Sequence, residues 1–284
     1  MPRENEVKTL LRWCLILQLA GGLVGGMTLA EDAASEPETQ DKPAKPPSIF
    51  DNLYLDSAVG AEKPSGESST PFGLVGANWA IPMTPPDDVA WGLQLGGDLK
   101  PRDDGPEWNS TFGGFARNFT TFETQQGAVA ALFDYRRTAQ DNDLWAFRPI
   151  IGTTISSQDA VGVEGEASLN QERNQRIADS FTTFWTRGWS ERLGTEFGAG
   201  YEFSGVKKTL FRARAALWLT KQVDLWIGGD VNWSGSYAAG IGVSYHFGDA
   251  GQHAGLHNIG GTGDELYTPF PSADFPSLLQ RTKR

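Results

Sequence analysis

Apolar and polar positions alternate along most of the chain from about residue 71 to Phe247. A side-chain period of two belongs to a β-strand, whose successive residues point to opposite faces. Seven segments show it cleanly: 89–99, 144–155, 161–170 and 194–204, then an almost unbroken series over 211–219, 223–233 and 237–247. In the segment 223–233, Val223, Leu225, Ile227, Gly229, Val231 and Trp233 oppose Asp224, Trp226, Gly228, Asp230 and Asn232. In all seven, one face carries no ionised side chain and the charges collect on the other. Four noisier segments, 71–81, 111–120, 126–136 and 177–188, are expected to be strands as well. The patch from Ile49 to Leu55 supplies a twelfth, with a polar stretch following it to Thr70. Lys221-Gln222 and Ser234-Gly235-Ser236 are hairpin-sized connections. Pro149 is a blemish in this pattern, because proline removes a ladder donor from a central strand.

Alternation leaves two ways to close such a sheet. A water-soluble barrel or sandwich turns its apolar face inward, whereas a membrane barrel turns it toward lipid and keeps its polar groups inside. Three features favour the second. Crossing a bilayer takes about 9–11 residues of tilted strand, which these segments supply, whereas strands in soluble proteins average about 5–6. Trp91, Trp145, Phe147, Phe203, Phe211, Trp233, Tyr237, Tyr245 and Phe247 lie near segment ends on the apolar face, where an aromatic belt would meet the headgroups. The polar face is mainly Gly, Ser, Ala and Glu with few Lys, side chains that suit a cramped interior better than a solvated sheet. Lipid offers no partner to a bare strand edge, so such a sheet must close. The expected fold is therefore all-β: an antiparallel up-and-down transmembrane-type barrel of 10–12 strands, twelve being favoured because bacterial barrels usually have an even count. The alternative is a soluble periplasmic or secreted β-protein binding a small ligand inside.

The ends of the chain add location. Residues 1–30 read as a cleavable export signal, with Lys8 and Arg12 before an apolar, glycine-punctuated core and Ala30 before Glu31-Asp32. The only cysteine, Cys14, would leave with it, so neither a disulfide nor a thiolate site is expected. Residues 31–48 are rich in Pro, Glu, Lys and Ala and read as a disordered linker, 49–247 as the barrel, and 248–284 as a Gly/Pro-rich, loop-like tail. With 35 Asp and Glu against 24 Lys and Arg the net charge is −11. A nucleic-acid partner is therefore not expected, since phosphates select Lys and Arg.

From Ile49 to Phe247 the chain resembles outer-membrane β-barrel proteins, and Val243, Tyr245 and Phe247 resemble the alternating aromatic-ended assembly signal of such barrels. The tail beyond Phe247 departs from that pattern. The layout also resembles uncharacterised exported proteins of planctomycete bacteria, on Asp51-Asn52-Leu53-Tyr54-Leu55, on the stretch Phe72 to Pro82, and on Gly92-Leu93-Gln94-Leu95-Gly96. These resemblances imply a barrel-like fold, a lipid bilayer and the barrel-assembly machinery as partners, the outer membrane as location, and no assigned activity.

Candidate chemistry lies on the polar faces. Glu164, Glu166, Glu196 and Glu202 precede Arg212 and Arg214 on the next segment and Asp230 on the one after. In a barrel they would line the lumen, either as a charged constriction acting on small solutes or as salt bridges filling a narrow interior. Ser244 and His246 share a face, with Asp230 one segment before. Serine catalysis is not expected there, because no strand-to-helix elbow carries the serine. His253 and His257 have i, i+4 spacing but lie among glycines without a third ligand. Asp103-Asp104 and Asp141-Asn142-Asp143 read as turns rather than calcium loops. No cofactor or metal is implied.

Overall fold

A computed structural model describes residues 50–63, 68–84, 89–101, 105–121, 125–137, 143–170, 175–203, 208–233, 235–248, 256–259 and 269–271. The predicted export signal and linker lie outside them. All described residues belong to the unit Ile49–Arg284.

Twelve strands form one ring: β1 (Leu53–Lys63), β2 (Thr70–Pro82), β3 (Ala90–Lys100), β4 (Glu107–Thr120), β5 (Gln126–Arg137), β6 (Asp143–Thr154), β7 (Asp159–Asn170), β8 (Gln175–Gly188), β9 (Leu193–Glu202), β10 (Lys208–Trp218), β11 (Val223–Asn232) and β12 (Tyr237–His246). Each pairs antiparallel with its sequence neighbours, and β1 pairs with β12 to close the barrel. Closure leaves no strand edge without hydrogen-bond partners, the condition lipid imposes. The connections are only four to seven residues long. Three turns at one end repeat a single device. Ser156, Ser190 and Thr220 each accept hydrogen bonds from the amides two and three residues ahead, which tightens the hairpin.

The faces fall as the alternation predicts. Val231, Leu217 and Ile241 are 43%, 40% and 46% exposed, whereas Glu196 and Arg214 are 0% and 5% exposed. A water-soluble barrel would reverse this. The outer surface carries cross-strand aromatic rows, Trp108–Tyr135–Trp145 near one end of β4–β6 and Phe112–Phe133–Phe147 below it. Trp91, Trp189, Tyr245 and Phe247 mark the other end, beside the turns and the end of β12. No described helix is long and apolar enough to cross a membrane; the strands are 10 to 14 residues long, against about 9–11 for a tilted strand that crosses a bilayer.

Two details differ from the pattern. The twelfth strand, β1, starts at Leu53 and continues past Leu55 to Lys63, into the stretch read from sequence as polar. Its inward row is Tyr54, Asp56, Ala58, Gly60 and Glu62, while the opposite row, Leu55, Ser57, Val59 and Ala61, is too weakly apolar to announce a strand. Pro149 keeps its place in β6. The ladder to β7 runs from the Phe147–Ala167 pair directly to the Ile150–Glu164 pair without a change of register. The proline ring faces Gly165, whose missing side chain leaves room for it.

Candidate functional site in the barrel lumen

Inward alternation on neighbouring strands stacks charged side chains into one network. On β6, Arg148 lies between Asp134 of β5, with Nε 3.0 Å from Oδ2, and Glu164 of β7, with Nη1 3.4 Å from Oε2. On β10, Arg212 pairs with Asp230 of β11 at 3.2 Å and reaches across the lumen to Glu164 Oε1 at 3.5 Å. Arg214 stands 3.8 Å from Glu196 of β9. Glu166 accepts a 2.5 Å hydrogen bond from Ser168. All of these side chains are buried. Pairing is what makes that tenable, because an isolated buried charge costs several kcal/mol or more, about what desolvation removes per ion.

Of the residues singled out from sequence, Glu164, Glu166, Glu196, Arg212, Arg214 and Asp230 thus come together. Glu202 does not join them; it is half-buried at the end of β9. Asp134 and Arg148 were missed. Their signal was present, since both lie on the polar face of their segments, but β5 alternates less regularly than the C-terminal strands and Pro149 stands next to Arg148 in β6.

Other inward polar side chains are paired as well. Lys100 donates to Glu62 at 2.6 Å, and Asn109 links Asp98 to Arg136. Ser244 donates to Asp56 at 2.5 Å, while His246 Nε2 stands 3.3 Å from Asp224. Asp230, the acid considered from sequence, is committed to Arg212. Ser244 and His246 therefore serve two different carboxylates, and no serine–histidine–acid relay is assembled. Among the described residues no group of three or more His, Cys, Asp or Glu is arranged to hold a metal ion. Asp143 accepts from the Tyr135 hydroxyl, as a strand-end residue would. His253 lies outside the described residues.

The largest departure from the sequence reading concerns the tail. Its described parts, 256–259 and 269–271, have no helix or strand, as the missing period implies, but their side chains are mostly buried inside the barrel. His257 Nε2 lies 2.8 Å from Glu164 Oε2, and Nδ1 lies 2.9 Å from Glu196 Oε2. The His257 amide donates to that same Glu196 oxygen at 2.8 Å. Phe184 stacks on the imidazole, with centroids 4.2 Å apart and planes 15° from parallel. Gly162 on β7 makes room for that phenylalanine, since a Cβ there would collide with its ring. Further along, the Phe270 backbone exchanges two hydrogen bonds with the Gln94 side chain, at 2.8 and 2.9 Å. Arg117 covers the Phe270 ring at 4.2 Å, and Arg148 donates to the Pro271 carbonyl at 2.9 Å. Burial alone would disfavour the charged form of His257, but Glu196 and Glu164 outweigh it and raise its pKa above the ordinary imidazole value. No pattern in the tail announced this. Its anchors are single residues whose partners lie 61 to 176 positions away in the chain.

The chain has the fold of porins. It is similar to the solved structure of the KdgM porin, with a TM-score of 0.51, 9% identity, 68% of this chain covered and 99% of that one. The same coverage, with a TM-score of 0.50, holds for the KdgM porin in complex with disordered oligogalacturonate. The NanC porin is similar at a TM-score of 0.49 and 8% identity. No protein-family profile and no curated protein matches the sequence.

Proposed function

We propose that this protein is an outer-membrane β-barrel channel for small solutes, without catalysis, whose lumen is occupied by its own C-terminal segment in the state described. The observation that carries this reading is the inverted surface: an apolar, aromatic-ended exterior around a closed ring filled with ionised side chains. The connections, at four to seven residues, offer little surface for capturing a partner, which directs attention to the lumen. There Glu164, Glu166, Glu196, Arg212, Arg214 and Asp230 form the constriction a solute would pass, with Glu202 nearer its rim. Export by the N-terminal signal, folding by the barrel-assembly machinery through Val243, Tyr245 and Phe247, and kinship with exported planctomycete barrels belong to the same proposal.

A second reading has one specific observation in its favour. The ion pairs and the seated tail fill a narrow interior, as a purely structural envelope barrel would require. Planar-bilayer recording separates the two. The channel reading expects small conductance steps from the full-length protein, with ion selectivity that shifts when Arg212 and Arg214 are both replaced by glutamine. Silence from both the native chain and a His257→Ala variant shown to be folded would leave the structural barrel.

A further inference from the structure

The place His257 occupies is built as a ligand site. Two carboxylate oxygens from different strands, Glu164 Oε2 and Glu196 Oε2, converge on the two ring nitrogens at 2.8 and 2.9 Å, and Phe184 provides a flat apolar floor 4.2 Å away. Carboxylates only accept, so the complement is a planar group with donors on two edges and a positive charge. The second oxygen of Glu196, Oε1, is buried without a hydrogen-bond partner, with Arg214 Nη1 3.8 Å away. An acceptor aimed into the lumen thus remains unsatisfied even with the histidine in place. Among the described residues, ion pairs join the two seat carboxylates to Arg148, Arg212 and Arg214, with Asp134 and Asp230 on the far side of those guanidinium groups. The occupant comes from a segment beyond the last strand, not from the barrel wall.

We propose that the Glu164–Glu196–Phe184 seat is a recognition site for small flat organic cations of the imidazolium and guanidinium class, and that the C-terminal segment holds His257 in it as a tethered competitor. The role assigned to such a cation rests on the channel reading; its binding does not. A mobile cation would bind tightly only when the imidazole is out of the way. A group carried on the same chain competes at an effective concentration, which for short tethers in general is of about millimolar order.

The test is calorimetric titration of full-length protein in detergent micelles with imidazole, at a pH where imidazole is protonated, and with pyrazole, a neutral ring of the same shape. Heat-modifiability on a gel checks that every variant remains folded, and His257→Gln replaces His257→Ala if the alanine variant is not. Imidazolium should bind the variant at least about tenfold more tightly than the native chain, a difference of roughly 1.4 kcal/mol. Pyrazole should gain nothing, and adding Glu164→Gln should abolish the imidazolium gain. Equal binding of imidazolium and pyrazole, no gain on removing the imidazole, or indifference to Glu164→Gln would each overturn the proposal. Because binding is read without any conductance, a folded barrel that binds imidazolium yet passes no current would retire the channel and keep the site.

Discussion

Replacing Ile227 by arginine separates a lipid-facing exterior from a water-facing one. Ile227 lies mid-strand on β11 and is 59% exposed, while Val231 lies on the same face next to the strand end at Asn232. Four residues at about 3.4 Å each, tilted about 40° from the barrel axis, put the two side chains roughly 10 Å apart along the membrane normal. An apolar band about 25 Å tall reaches only about 12 Å from its middle, so Val231 stands near its edge. An arginine at the midplane of a barrel's lipid face costs about 2–4 kcal/mol, and near the interface about 0–1. In a water-soluble protein both substitutions, made at exposed positions, would stay within about 0.5 kcal/mol. Urea unfolding in phospholipid vesicles, followed by tryptophan fluorescence, reads the difference by linear extrapolation. Ile227→Arg should lower stability by about 2 kcal/mol or more, and Val231→Arg by clearly less. Equal effects at the two depths, or no effect at either, would refute the outward-lipid assignment and with it the reading of the lumen.

Two other outcomes follow from the lumen. Arg148→Met removes the cation paired with Asp134, while Glu164 keeps Arg212 and His257; it should cost about 3–5 kcal/mol by the same unfolding assay, the penalty for breaking a buried pair, adding Asp134→Asn should recover part of it, and strictly additive losses would show that the pair is not coupled. Docking of the tail should depend on pH, since His257 faces Glu164 of β7 and Glu196 of β9, which are themselves held by Arg148, Arg212 and Arg214. Its folded pKa is raised, so the stabilisation is complete below the ordinary value of 6.5 and is lost as pH rises through the folded value. Protease sensitivity of the tail should therefore increase with pH, and His257→Gln should flatten the profile; a native profile that is already flat would contradict the ion-pair account.

How much of this could be read from the chain depends on how local each feature is. Strand existence and facing are written in a two-residue period, and β10, β11 and β12 repeat it so regularly that Arg212, Arg214 and Asp230 could be assigned to the lumen beforehand. The same period weakened wherever an outward row lost its large apolar side chains. Ser57 and Ala61 hid most of β1 in this way, and Arg148 was passed over beside the irregularity of Pro149. Glu202 shows the opposite limit. It has the correct parity for the lumen, but parity says nothing of depth, and its strand ends there.

By itself the sequence determined the antiparallel all-β architecture and the partition of charge to one face, because both depend on contacts between residues close along the chain or on adjacent hairpins. Only the tertiary structure decided that Glu164 reaches Arg212 across the lumen and that His257 and Phe270 fold back into it. Those contacts join residues remote in the chain, and a segment with no repeating pattern carries no local record of the surface that will receive it.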